Sequence, residues 1–415
     1  MRALTCLTLA LLAAATAPAG DWPQWLGPNR DGASAEVVKP WTDAPKILWR
    51  TAVGSGHSSP IVAGGRVYLH SKAAGKDAER LVAYDVADGK EVAAADMARD
   101  PFASPFGAGP RATPVGLPGG GVVGYGVTGQ MIGLAAADKP LPFDGGWPNP
   151  VKQFHAPIPK FGVSSSPLAD GDRVIVMVGG KGASLVAYKS GQIAWKALDD
   201  PASYASPIVT EHAGKRQLVA LTAEGVVSLD PASGELFWRY PFKDLIAESS
   251  TTPLRVGDLI IASSVTLGSV GLKLGTKDGK PAVTEAWKNP ALSCYFSTPV
   301  TVGDKYLYMV TGSIVAAMRR QPQADLNCVE AATGKVLWKR EKVGKYHAAL
   351  IRTGDGKLLL HSDTGELMLL DPDPKEYREL ARAKVCGPTW AHPALANGRL
   401  YVRDDKELVC VRLGE

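Results

Sequence analysis

One module recurs eight times along this chain, and that repetition leaves few folds open to it. Its clearest copy runs from Tyr204 to Trp238. Tyr204-Ala205-Ser206-Pro207 leads into the apolar run Ile208-Val209-Thr210. Leu218 to Leu221 reads as a second strand, Val226 to Leu229 as a third and Glu235 to Trp238 as a fourth. Asp230-Pro231-Ala232-Ser233-Gly234 supplies the turn chemistry between the last two. Four short strands with turns between them form an antiparallel meander. Such a meander has two apolar faces and can bury them only against copies of itself.

The copies align on the proline before each first strand: Pro60, Pro114, Pro167, Pro207, Pro253, Pro299, Leu350 in place of proline, and Pro393. Small hydroxyl residues usually precede it, as in Ser58-Ser59, Ser165-Ser166, Thr251-Thr252 and Ser297-Thr298. Gly-x-x-x-Trp closes the repeat at Trp195, Trp238 and Trp338. The intervals run from 40 to 54 residues, the spacing of four-stranded propeller blades. The apolar residues alternate or run continuously, without the 3.6-residue period of helical repeats. The expected fold is all-β, an eight-bladed propeller in one domain spanning 20–415. Residues 1–19 read as a signal peptide: Arg2, an apolar stretch and Ala17-Pro18-Ala19. The chain is therefore expected to be exported, periplasmic or extracellular, with no later segment apolar enough to span a bilayer.

Lys46 to Arg50 looks like a fourth strand with no first three before it, while Pro393 to Leu413 supplies three and stops. The two are expected to complete one blade and so close the ring, leaving no open edge. Asp21 to Gly32, with Trp22 and Trp25 beside Pro and Gly, reads as a loop pinned by its rings. Pro140 to Pro159 reads as an insertion after repeat two, with Phe143, Trp147 and Phe154 as candidates for docking a partner. The net charge of +5 is small for 415 residues, and without Lys/Arg runs a nucleic-acid partner is not expected.

These repeats, Ser-Ser-Pro, Val-Tyr-Leu, Leu-x-Ala-Tyr-Asp and Gly-Lys-x-x-Trp, resemble the pyrroloquinoline-quinone-like (PQQ-like) repeat. Asp21-Trp-Pro-Gln-Trp-Leu-Gly-Pro-Asn-Arg-Asp-Gly is similar to the start of exported BamB-like propellers of planctomycetes. The resemblance implies an eight-bladed propeller and leaves activity open, since the family holds both quinone-dependent alcohol dehydrogenases and a non-enzymatic outer-membrane assembly lipoprotein. For the dehydrogenases it implies PQQ, calcium, an Asp base, and adjacent cysteines over the quinone. This chain has no adjacent cysteines, and no Glu, Asn and Asp set maps onto a calcium site. No cofactor or metal is therefore expected. The reading favours a monomeric, non-catalytic module that binds an envelope protein or a small ligand, with an alcohol dehydrogenase as the alternative.

Cys294 and Cys386 precede first strands, and Cys328 and Cys410 sit in third strands, where other repeats carry Ala83, Ala187 and Ser228. That small-residue slot favours buried thiols; the pairs Cys294/Cys328 and Cys386/Cys410 as disulfides are the alternative. His70, His212 and His361 read as solvated or hydrogen-bonded histidines, and Asp199-Asp200 and Asp404-Asp405 as solvated turns. One constellation departs from the packing pattern. Three residues before each anchor stand His57, Arg111, Ser164, Tyr204, Ser250, Phe296, His347 and Trp390. Equivalent positions ahead of the innermost strands form a ring at one mouth of the channel. Their mixture of aromatic, cationic and hydroxyl groups suits a ligand pocket. Arg111 offers a donor fork to a carboxylate, so the expected ligand is a small anionic aromatic.

Overall fold

The computed structural model describes residues 20–135, 146–313 and 322–413. They form eight antiparallel sheets arranged as the blades of a propeller. Seven sheets have four strands; the second, Val115–Gly116, Val122–Tyr125 and Met131–Leu134, has three among the described residues. First strands are short, two to five residues, and most open directly after their proline, as Ile61–Ala63 does after Pro60 and Leu254–Val256 after Pro253. The signal-peptide expectation falls on residues 1–19, outside the described residues.

The middle strands explain why the sequence shows continuous apolar runs. Each blade is covered on both faces, so both faces of a middle strand are buried. In the fourth blade, Leu218 and Ala220 join Ile175, Leu185 and Trp195 of the third. Val219 and Leu221, pointing the other way, join Ile260, Ala262 and Val270 of the fifth. Period-2 alternation is thus present, but both of its faces are apolar.

The tryptophans lock this stack. Trp49, Trp195, Trp238 and Trp287 are buried, and Trp338 is half-buried. Trp195 Nε1 donates to Pro231 O at 3.0 Å, Trp287 Nε1 to Ala331 O at 2.8 Å and Trp49 Nε1 to Val86 O at 3.0 Å, each in the next blade's turn. The same turns present Gly234, Gly334 and Gly89 to these rings, all at positive φ. Trp238 instead donates to Gln217 of its own blade at 2.9 Å.

The ring closes as the half-blades imply. Ile47–Ala52 lies beside Glu407–Arg412, with Trp49 opposite Cys410 and Arg50 opposite Val409. The preceding segment also ties blades together: Trp22 bridges Val62, and Ala33 bridges Arg352 of the seventh blade.

The four cysteines are free and buried, the reading that the small-residue slot favoured, and burial pushes Cys294 and Cys386 up to about 12 and Cys410 up to about 11. Other expectations are narrowed or change. His70 is not solvated but lies fully buried, its Nε2 3.0 Å from Glu79 Oε2. His361 is buried as well, Nε2 3.4 Å from Cys386 Sγ. Asp200 is buried and accepts from Thr222 Oγ1 at 2.6 Å and from Arg239 at 2.5 Å. In the insertion after blade two, Phe143 lies outside the described residues. Trp147 and Phe154 turn inward onto the core shared by blades two and three. Trp147 lies so close to Gly133 that a Cβ there would fall 2.0 Å from its ring. These rings pack, half-buried, against the blades' own core.

Candidate functional site

A hydroxyl residue stands before the anchor proline in six blades and ties neighbouring blades together at the axis. Proline has no N–H and holds the preceding residue extended. That residue's own N–H is then free to bond sideways. His392 N donates to Ser59 Oγ at 2.9 Å, Ser59 N to Thr113 Oγ1 at 3.2 Å, and Thr113 N to Ser166 Oγ at 2.9 Å. Ser166 N continues to Ser206 Oγ at 2.9 Å, and Thr252 N to Thr298 Oγ1 at 3.2 Å. The result is a belt of inter-blade hydrogen bonds around the axis. At the seventh blade, where Ala348 has no hydroxyl, the bond reverses: Ala348 N donates to Ser297 Oγ at 3.3 Å.

Beside this belt lies an open-mouthed cavity of about 150 Å³. His57, Arg111, Ser164, Tyr204, Ser250, Phe296 and Trp390 line it, seven of the eight positions singled out in the sequence. His347 does not; it is buried behind Trp390, ring centroids 5.9 Å apart. The seventh repeat lacks its proline, and its first strand starts two residues ahead of Leu350. The strand there spans Ala348–Arg352, with Leu350 opposite Leu360 and Ile351 opposite Leu359. That register keeps Leu350 at the anchor, two residues before the partner of Leu358, as Pro207 stands two before the partner of Leu218; His347 is nonetheless buried. Tyr346 is half-exposed, its ring 5.5 Å from Trp390.

The structure adds Trp25, Phe106, Phe161, Glu248 and Tyr295 to the lining. Trp25 comes from the N-terminal segment and is fixed by donation from Nε1 to Thr252 Oγ1 at 2.9 Å. Phe106, from the loop after blade one, sits 5.4 Å from Trp390 and 5.3 Å from Phe161. Tyr295 stacks on Phe296 at 3.8 Å, and Phe296 lies 4.7 Å from Trp390. The residue type at each repeat-equivalent position could not reveal these groups, because they come from loops of unequal length. Phe161 and Trp25 stood in aromatic, Pro/Gly-rich stretches, which was the available signal.

Arg111 does not present its fork to the cavity. It donates to Gly109 O at 2.6 Å, Gly107 O at 2.8 Å and Phe106 O at 3.4 Å. His57 Nε2 meets Phe106 O at 2.7 Å, so both residues latch the Phe106 loop. Burial lowers the Arg111 guanidinium to about 10 and lowers the His57 imidazole. Ser164 donates to Gly162 O at 3.2 Å and Ser250 to Tyr295 O. Glu248 Oε2 accepts from the Tyr295 hydroxyl, while Oε1 lies 3.6 Å from Lys160 Nζ. A neighbouring space of about 320 Å³ shares His57, Phe106 and Trp390 and ends at Asp404 and Asp405. Asp404 there accepts from Gly387 N at 2.9 Å and is tied into its own turn.

Calcium asks for six to eight oxygen ligands. Among the described residues, Glu248 is the one carboxylate lining the aromatic cavity. Among the described residues, no three His, Cys, Asp or Glu side chains gather to hold a metal. The residues present therefore do not fit the calcium–quinone site of the dehydrogenases.

No curated protein matches the sequence. The family profile described as outer membrane protein assembly factor BamB matches residues 32–92, 77–326 and 322–412. Among solved structures, BamB from Moraxella catarrhalis is similar over 91% of this chain and 100% of its own, with TM-score 0.56 and 16% identity. The quinohemoprotein alcohol dehydrogenase from Comamonas testosteroni is similar over 97% of this chain and 82% of its own, with TM-score 0.64 and 13% identity. The enzyme ADHIIG from Pseudomonas putida HK5 gives TM-score 0.61 at 11% identity, over 95% of this chain and 80% of its own. At such identities these structures establish the fold alone. With its repeats, blades and closure in agreement with a profile spanning nearly the whole chain, this protein belongs to the BamB family of PQQ-like-repeat, eight-bladed β-propellers.

Proposed function

We propose that this protein is an exported, non-catalytic recognition module that docks a protein partner of the cell envelope on its channel-mouth face. The observation that supports this is the placement of exposed apolar side chains. Phe106 lines the cavity, and Ile158, Leu245 and Ile246 stand in the connections that carry its lining residues Phe161 and Glu248; all four are exposed, Leu245 to 79%. Exposed apolar groups clustered about a concave site mark an interaction surface. Membership of the BamB family agrees with this reading.

The test is capture from envelope extract on immobilised protein, comparing the wild type with a Leu245→Asp/Ile246→Asp double variant. A Leu337→Asp variant, on an outermost strand, serves as control. The mouth variant is expected to lose the captured partner and the control to keep it. Equal capture by all three would overturn the assignment of the docking face.

A further inference from the structure

The aromatic cavity has turned its cationic fork away and kept an anionic acceptor. Arg111 is turned onto three backbone carbonyls, and Trp25, Ser164 and Ser250 each donate to the protein itself. Glu248 is different. Its side chain is 13% exposed and accepts one hydrogen bond, from Tyr295, although a carboxylate has room for about four. A carboxylate held among aromatic faces, where water is scarce, favours a cation. The faces favour one too, because the negative π-cloud attracts an ammonium within about 6 Å of the ring centroid.

The chain itself illustrates the chemistry at the rim. Lys160 Nζ lies 4.8 Å from the Phe161 centroid and 3.6 Å from Glu248 Oε1, with its side chain 72% exposed. It reaches the carboxylate from outside and leaves the chamber unfilled. The chamber's 150 Å³ matches the size of cavity that accepts one benzene ring, and a trimethylammonium head is of similar bulk.

We propose that the mouth cavity is a receptor for an organic ammonium group, methylated or alkylated. The group would lie against Tyr204, Phe296 and Trp390 with its charge facing Glu248, and Lys160 acts as a tethered competitor at the rim. This deepens the docking-face reading and rests on it for the site. The ammonium could be carried by a free small molecule or by a side chain of the docked protein.

The test is calorimetric titration of the full chain with choline and with 3,3-dimethylbutan-1-ol, its uncharged isostere. Quenching of Trp25 and Trp390 fluorescence gives a second readout. Choline is expected to bind roughly tenfold or more tightly than the alcohol. Glu248→Gln should remove that preference, and Lys160→Ala should strengthen choline binding several-fold. Equal binding of choline and alcohol, or no binding of choline to wild type and Lys160→Ala alike, overturns the proposal. Because Lys160 is exposed, its variant keeps the test decisive even if Glu248→Gln fails to fold. A trimethyllysine peptide run beside choline separates the two sources: tighter binding of the peptide assigns the head to a protein, tighter binding of choline to a free molecule. Failure of choline and peptide with mouth-dependent capture intact removes this inference alone; loss of mouth dependence removes the docking face.

Discussion

Gly234 shows how a single atom controls the meeting of two blades. Its φ is +76°, and a Cβ there would lie 2.7 Å from the Trp195 ring. Gly234→Ala therefore carries both a left-handed backbone cost, about 1–2 kcal/mol, and a clash with a ring that cannot move without leaving Pro231. The expected outcome is a loss of at least that size in urea-derived stability; an unchanged midpoint would contradict the contact. Trp238 makes the complementary case. Buried between blades four and five and donating to Gln217, its replacement by Ala should cost about 3–5 kcal/mol. A measured loss under about 1 kcal/mol would remove the packing role assigned to it. Arg111 teaches the opposite lesson. Its residue type pointed to an anionic ligand, but its hydrogen-bonding is taken by carbonyls of a loop two to five residues away.

At the scale of the element, Ile47–Ala52 carries the most weight for its length. It covers the edge of Glu407–Arg412 and brings Trp49 onto Tyr401, ring centroids 5.9 Å apart. Removing residues through Ala52 would leave that strand with unpaired N–H and C=O groups and empty the Trp49 seat against Gly89. The shortened chain is expected to aggregate and to lose its cooperative thermal transition. A sharp transition retained near that of the intact protein would show that the clasp is dispensable. The seventh blade shows what the anchor proline does elsewhere. With Leu350 in its place the first strand runs back to Ala348, and His347 just before it is buried. The pairing of Leu350 with Leu360 holds the register that proline marks in the other blades.

At the scale of the whole molecule, stability should depend on pH through histidines sealed between blades. Burial lowers His361 and His392 from 6.5 to about 3. The unfolded chain takes up these protons near pH 6.5, before the native state can. Protons bound preferentially by the unfolded state make stability rise with pH. The contribution is whole above pH 6.5 and falls as pH drops toward 3. The slope for each histidine is about 1.4 kcal/mol per pH unit in that window. Urea midpoints at pH 7.5 and 5 should differ accordingly, and His361→Leu should flatten the dependence. Equal midpoints in the wild type would mean that these imidazoles become protonated in the folded state.

The amino-acid sequence determined the architecture because propeller packing is periodic. The same contact recurs in every blade, so proline, hydroxyl pair, apolar strand, turn glycine and tryptophan recur with it and can be read by alignment. It also determined the closure, since half a blade at each end has one partner to find. Seven cavity-lining positions were legible for the same reason: they occupy one repeat-equivalent place. What only the tertiary structure decided is everything that is not periodic. Trp25 reaches the cavity from a segment outside the repeats, and Phe106, Phe161, Glu248 and Tyr295 arrive on connections of unequal length. The direction in which a side chain donates is likewise settled by its neighbours in space, which is why Arg111 became a latch and Glu248 was left facing the cavity.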